Sequence, residues 1–206
     1  FNADVAHELR TPLTNLVGQT QLGLAVGKDV HEFKELLQSN LEELERMTSI
    51  INDMLFLSHA QVGRMAMDLS DVSLREEAAK TTEYVEPLFG DKDLTVTLNG
   101  DARALIDRRL FHRALANLLE NAAFYAKPGT DVAVAMQEQT GMAQVCVSNV
   151  GDPIDAQSLP RLFERFFRVE SARTQSDKHH GLGLSIVKAI ASIHQGDVFV
   201  RLSLIH

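Results

Sequence analysis

Two different periodicities of apolar residues divide this chain. In the first third, Val5, Leu9, Leu13, Leu16 and Leu24 gather on one side of a helix at roughly 100° per residue. They predict a helix over residues 1–25, with Gly27 as its stop. A second helix is predicted over 31–62. There Leu37, Leu44 and Ile51 recur at sevens, and Leu41, Thr48 and Leu55 repeat the interval four residues later. Two long helices joined by a short turn make an antiparallel hairpin, and a single hairpin leaves its apolar seams half covered. Pairing two hairpins into a four-helix bundle covers them, so the pattern predicts a homodimer.

The heptads stop between Gly63 and Ser70, which divides the chain into residues 1–66 and 67–206. Beyond that boundary the pattern is mixed. Ser73-Leu74-Arg75-Glu76 has the form of a capping box and opens a helix to about Phe89. Alternation predicts strands over 94–98, 132–136 and 143–148, with a weaker one over 102–106. Asp107 is placed to cap a helix running to about Tyr125, before Lys127-Pro128-Gly129. A loop rich in charge and Phe occupies 149–180, a helix 182–194, and a last strand begins over 198–202. The fold class is α plus α/β, a helical hairpin followed by an α/β sandwich in which helices and strands segregate.

Composition removes several classes of function. A net charge of −8 argues against nucleic acid or anionic membrane as a partner. The single Cys146 excludes an intramolecular disulfide and, inside an apolar run, reads as a core residue. With no apolar run of about 18 residues and no signal peptide, the chain is expected to be soluble as it stands. Both ends read as cut within an element, so any membrane segment is expected upstream.

The candidate chemistry starts at A-H-E-L-R-T-P-L. His7 falls roughly 160° from Leu9, on the outward face of the first helix, with Thr11 one turn further on. Its ordinary pKa of about 6.5 leaves a ring nitrogen lone pair for attack near neutral pH. Glu8 stands beside it to orient the ring or take its proton. Pro12 removes the helix bond to the Glu8 carbonyl, so a bend is expected after His7. Taken alone, His7 is better explained as a solvated surface histidine of an amphipathic helix. Asn117 and Asn121, in N-L-L-E-N-A, share a helix face; two amides there suit phosphates or Mg²⁺, or form a plain solvated face. Gly181-Leu182-Gly183-Leu184 precedes an apolar helix and allows backbone N–H groups to approach an anion, or is a simple helix-start turn. It matches neither the P-loop nor the Rossmann fingerprint.

The order of these pieces is more telling than any one of them. The succession H-E-L-R-T-P-L, N-L-L-E-N-A, N-V-G-D-P-I, L-F-E-R-F-F-R and G-L-G-L-S-I-V-K resembles the sequence boxes of two-component sensor histidine kinases. F-N-A-D-V-A-H-E-L-R-T-P-L-T-N-L with S-N-L-E-E-L-E-R-M and D-M-L-F-L is similar to the heavy-metal, copper/silver-responsive type. The resemblance implies a dimerisation and phosphoacceptor hairpin followed by a catalytic ATP-binding domain of the kinase, gyrase and chaperone type. It implies that His7 takes the γ-phosphate of ATP, that Glu8 takes its proton or holds the ring, and that Thr11 orients water in dephosphorylating the response regulator. Asn121 would ligate Mg²⁺ and Asn117 would support the phosphates. Tyr125 would line the nucleotide site, with Asn149 and Gly151 in its adenine-recognising turn. Gly181 and Gly183 would let the loop close over the phosphates, with Leu184 beneath. The implied partner is a response-regulator receiver domain, docked where Thr14 and Gly18 leave room near His7. The implied setting is the cytoplasmic portion of a bacterial inner-membrane protein.

Four departures from that pattern stand out, the first of them a pair of residues in one box. Asn149 replaces the usual Asp and Pro153 the second Gly of D-x-G-x-G; Phe124 stands where many such kinases have Lys or Arg, with Lys127 nearby; and His179 replaces a Gly. The fourth departure is at the end, where the closing hairpin of the ATP-binding domain is missing. Two rival readings are an ATPase that transfers to water, which the His7-Glu8 hairpin opposes, and a dimeric nucleotide-binding scaffold without kinase activity.

Overall fold

The computed structural model describes residues 2–26, 29–62, 67–169 and 180–203. The expected stop at Gly27, residues 63–66 of the boundary, most of the loop's second half including His179, and the His7 side chain lie outside the described residues.

The hairpin is built from α1 (Asn2–Val26) and α2 (Val30–Gln61). α1 continues through Pro12. α2 starts where its sequence tells it to. The Asp29 carboxylate accepts from the N–H groups of His31 (2.8 Å) and Glu32 (2.9 Å), and Glu32 accepts in return from the Asp29 N–H (3.0 Å). Leu16 and Ile50 are buried between the helices, and Asn40 reaches across to donate to Thr20 at 3.1 Å. The heptad residues face elsewhere: Leu37, Leu41, Leu44, Ile51 and Leu55 are all exposed, as are Leu13, Val17 and Leu24 of α1.

The rest of the chain forms β1 (Leu69–Ser73), α3 (Leu74–Val85), α4 (Pro87–Gly90), β2 (Thr95–Gly100), β3 (Arg103–Asp107), α5 (Arg108–Tyr125), β4 (Asp131–Gln139), β5 (Met142–Asn149) and α6 (Gly183–Ile193), with a 3-10 turn at Leu159–Arg161. β1 pairs antiparallel with β3; β4 lies between β2, to which it is parallel, and β5, to which it is antiparallel. α3 and α5 cover one face, burying Leu115, Leu119, Val132, Val134 and Met136 in a single core. Among the described residues no helix is long and apolar enough to cross a membrane.

Several expectations need correction. β1 falls partly in the stretch assigned to the domain boundary; its inward residue Val72 is matched by polar neighbours, too short an alternation to read. The helix expected to reach Phe89 ends at Val85, because Pro87 has no N–H to give the Glu83 carbonyl; Glu86 keeps helical backbone and Pro87 begins a new turn. Only half of the expected capping box forms. The Ser73 hydroxyl accepts from the Glu76 N–H, but that hydroxyl donates to Asp101, which also accepts from the N–H groups of Arg75 and Ala102. Residues 198–202 form no strand. A strand exists by its ladder, and these residues meet no partner among the described ones, leaving Phe199 and Leu202 exposed. Cys146 is exposed rather than core. It is paired with Ala135 on the outer face of the sheet, while its neighbours Val145 and Val147 take the inner face opposite Met136 and Val134.

One polar cluster ties α3 to α5. The buried Glu77 carboxylate meets Lys80 Nζ at 2.7 Å and His112 Nε2 at 2.6 Å. The Lys80 bond holds its pKa below the ordinary carboxylate range, with help from His112 and against the effect of burial. A carboxylate so depressed stabilises the fold fully above its ordinary pKa and loses that contribution as pH falls through the lower, folded value. Glu77→Gln should cost about 2 kcal/mol at neutral pH. Urea midpoints taken from pH 7 down through the carboxylate range should fall less steeply for the variant than for the parent.

Candidate functional site

α5 is the site's frame. Asp107 caps it, accepting from the N–H groups of Arg109 (3.0 Å) and Leu110 (3.2 Å), while its second oxygen accepts from the Asp68 N–H (3.0 Å). Burial works to raise this carboxyl's pKa, but those donors and the Arg109 charge together hold it below the usual range. Leu110, Leu115, Leu119, Ala122 and Ala123 fill the inward face, which leaves Asn117 and Asn121 one turn apart on a half-buried face.

Asn117 folds its Nδ2 back onto the Arg113 carbonyl at 2.8 Å, so the amide oxygen points off the helix. It points at the start of α6. A Cβ built on Gly183 would stand 2.8 Å from that oxygen, closer than real contacts allow, so any larger residue there must displace the Asn117 amide. Among the described residues no side chain caps the first turn of α6, whose N–H groups form an anion-favouring helix start. One residue before Leu182, Gly181 adopts φ +70° and its carbonyl accepts from the Phe166 N–H at 2.9 Å. A Cβ at Gly181 would meet the Phe166 backbone at 2.8 Å.

The far end of α5 meets the exit of β5. The Lys127 N–H donates to the Val150 carbonyl at 2.8 Å, and Ala126 and Gly151 form an isolated bridge. Gly151 sits so close that a Cβ would lie 2.8 Å from the Tyr125 carbonyl and 3.2 Å from Asn149 Nδ2. Burial pushes the Tyr125 hydroxyl above its usual pKa, opposed by the Arg168 charge. Tyr125, Asn149 and Gly151 are therefore neighbours, as are Asn117 and Gly183. Lys127 pairs with Asp152 at 3.4 Å on the surface. Among the described residues no cluster of His, Cys, Asp or Glu could hold a metal ion. The oxygen donors on offer are amide carbonyls, which suit Mg²⁺ when phosphates supply its other ligands.

Glu8 is half-buried and Thr11 exposed on α1; no hydrogen bond or ion pair of the described residues joins either to the cleft. Other residues hold the cleft without having announced themselves in the sequence. Lys92 caps the end of α5 by donating to the carbonyls of Ala123 (3.0 Å), Ala126 (3.3 Å) and Phe124, its ammonium over the Phe124 ring. A lone lysine in D-K-D carries no signal for this role. Arg113 donates to Asp53 of α2 at 2.6 Å and lies 4.1 Å from the Phe56 ring centroid. Burial raises the Asp53 pKa against the pull of Arg113; Glu120, beside Asn121, is raised by burial and by the Asp53 charge. A cavity of about 930 Å³ is a different place. Leu57, Ala60, Phe166, Lys188 and Ile193 help to line it, and none of the asparagines or glycines above does so.

Both halves of the chain have known relatives. The His Kinase A (phospho-acceptor) domain family matches residues 1–63, and the histidine kinase-, DNA gyrase B- and HSP90-like ATPase family matches residues 106–204. The chain belongs to the sensor histidine kinases. Sensor histidine kinase CusS of Escherichia coli O157:H7 is 40% identical over 201 residues, covering 97% of this chain and 42% of that protein. The probable sensor protein PcoS of Escherichia coli is 38% identical over 198 residues, covering 96% and 42%. The chain thus spans about two fifths of the length of the curated relatives it matches. Among solved structures, Acinetobacter baumannii histidine kinase AdeS superposes with TM-score 0.74 at 24% identity, over 91% of this chain and 86% of that one. ThkA in complex with response regulator TrrA gives 0.73 at 22%, over 95% and 55%. Full-length ShkA in complex with AMPPNP gives 0.67 at 20%, over 93% and 40%. These structures share the fold.

In this histidine kinase the Asn117–Gly183 contact should be intolerant of a methyl group. Gly183→Ala is expected to displace the asparagine amide and weaken binding of a fluorescent ATP analogue by about tenfold or more. Circular dichroism should show the lobe still folded.

Proposed function

We propose that this chain is the kinase core of a two-component sensor, in which residues 67–206 bind ATP and phosphorylate His7 of residues 1–66. The observation that carries the reading is the seating of Asn117 Oδ1 against Gly183 at a helix start that no described side chain caps, which brings two separate sequence boxes into one corner. Asn117 orients the phosphates, and Asn121 supplies an amide oxygen to Mg²⁺, which neutralises phosphate charge when bound. Gly181 and Gly183 let backbone N–H groups close on the phosphates, with Leu184 packing beneath. Tyr125, Asn149 and Gly151 line the base end; an asparagine amide both donates and accepts, so Asn149 can pair with the purine edge in place of a carboxylate.

In the transfer, an imidazole nitrogen of His7 forms a bond to the γ-phosphorus while the bond from that phosphorus to the bridging oxygen breaks. The electron pair and negative charge leave on ADP, and Glu8 takes the proton shed by the ring. Such a reaction is mostly positioning and charge neutralisation, which is what this site provides. The phosphoryl group then passes to an aspartate of a response regulator. Thr11, Thr14 and Gly18 are exposed, and nothing lies within 4 Å of a Cβ at Gly18, so a receiver domain has room to approach. Thr11 orients water in the separate phosphatase reaction, in which water attacks the aspartyl phosphate of the response regulator and inorganic phosphate leaves the restored carboxylate. The ThkA complex with TrrA supports such a partner, and the ShkA complex supports the nucleotide. The stimulus is a metal, copper or silver, sensed by membrane-anchored segments of a longer protein.

Incubation with γ-labelled ATP and Mg²⁺ should give label that is acid-labile and base-stable and that disappears in His7→Gln. Label that resists acid or survives the substitution refutes the proposal, and nucleotide binding without label favours a scaffold.

The exposed row Leu37, Leu41, Leu44, Ile51 and Leu55 supports a homodimer through the hairpin. Leu41→Glu with Leu44→Glu is expected to convert the dimer to a monomer in light scattering, raising the dimer dissociation constant at least about a hundredfold. A dimer that withstands both charges places the interface elsewhere.

A further inference from the structure

The glycine-rich turn is supported by the stalk as much as by its own lobe. Leu182 is buried with Ile50, Met54 and Leu57 of α2 and with Ile186 and Ile190 of α6. Two residues before it, His180 Nε2 accepts from the Nε–H of Arg46 at 3.1 Å, in a part-buried position. Arg46 is itself steadied by Glu43, one turn earlier on α2, whose carboxylate lies 3.5 Å from Nη1. The geometry requires a neutral His180 ring with its proton on Nδ1, because Nε2 must present a lone pair. Gly181, between His180 and Leu182, is fixed from the other side by the Phe166 N–H. The next residue, Gly183, is the one seated against Asn117. Each residue from 180 to 183 thus has a stated support, and the first of these supports is a side chain of the stalk.

We infer that Arg46 is a positioning residue for nucleotide binding, acting from the stalk through His180 to set the turn whose backbone meets the phosphates. This rests on the reading of the Asn117–Gly183 corner as the ATP site. The consequence is a thermodynamic link. If Arg46 favours the binding-ready turn, then a stalk rearrangement that withdraws Arg46 lowers ATP affinity, and bound ATP resists that rearrangement by the same factor. The second stalk contact, Arg113 to Asp53, references α5 to the same helix, so both walls of the corner are registered against α2.

The test is a double-mutant cycle in the full chain, read by equilibrium binding of a fluorescent ATP analogue with Mg²⁺. Arg46→Ala and His180→Ala should each weaken binding about fivefold, and the double variant should be no weaker than either single one. His180→Gln keeps an acceptor of similar reach and should restore affinity to within about twofold, which a purely packing role for the ring does not predict. The phosphorylation rate of His7 at saturating ATP should change much less than the ATP concentration needed for half saturation. Single variants that bind as the parent does, fold-changes that multiply in the double variant, or a His180→Gln as weak as His180→Ala each overturn the inference. A parent chain that fails to bind the analogue overturns the ATP reading itself, and the inference with it.

Discussion

The packing of about two helical turns, residues 50–57 of α2, against α6 is the interaction on which the arrangement of the whole molecule depends. Ile50, Leu57, Leu182 and Ile186 are almost completely removed from water there. At about 1.5–3 kcal/mol for each fully buried side chain, this junction outweighs any single polar contact between stalk and lobe. It also explains why α2 carries more apolar surface than a hairpin needs. Ile50, Met54 and Leu57 form one stripe, facing α6 and the α1 residues Val5 and Leu9; Ile51 and Leu55 form a second, exposed and offset by about 100°. One helix therefore serves two interfaces at once, and a rotation of α2 that improves one is felt by the other.

That doubling sets the limit of what the sequence discloses. The heptads at Leu37, Leu41, Leu44, Ile51 and Leu55 are legible because a repeat of seven is a strong signal, and they name the face left exposed. The stripe one residue over, Ile50, Met54 and Leu57, has the same spacing but runs for only two turns, so the stalk–lobe junction stays hidden until α6 is in place. The same contrast runs through the lobe. Asp107 as a cap, α5, β4 and β5 follow from local chemistry and are where the pattern puts them. β1, the break at Pro87 and the outward Cys146 depend on which neighbour is present, and residues 198–202 show that a β-favouring stretch is not a strand without one. In the site, the asparagines and glycines were legible as boxes. Lys92, Arg46, Asp53 and Arg113 act through partners far off in the chain, and their roles exist only in the folded molecule.

The departures from the family's pattern acquire physical content from their surroundings. Phe124 is not an empty replacement for a base. Its ring packs edge-on against Tyr125 with centroids 4.8 Å apart and lies under the Lys92 ammonium, so the end of α5 is held by an aromatic pair and a cation at its carbonyls. Lys127 spends its charge on Asp152. Among the described residues Arg113 lies one turn from Asn117 and the Arg168 charge acts on Tyr125, with Glu120 beside Asn121. On the proposed reading, the backbone dipoles at the start of α6 would add to these charges in meeting the phosphates. This is a site that depends on geometry, which is why its glycines tolerate so little.

The polar side of the stalk–lobe junction is weaker than its apolar side. Burial raises the Asp53 carboxyl against the pull of its Arg113 partner, and the Asp53 charge adds to the rise at Glu120. Burial thus works against the Asp53 charge at this contact, and the apolar cluster does most of the holding. The junction sets apolar packing, which keeps α6 and the glycine-rich turn in register, against the cost of a buried carboxylate. For a molecule whose nucleotide and whose histidine lie on different bodies, that balance is the physical requirement for the two to meet and part.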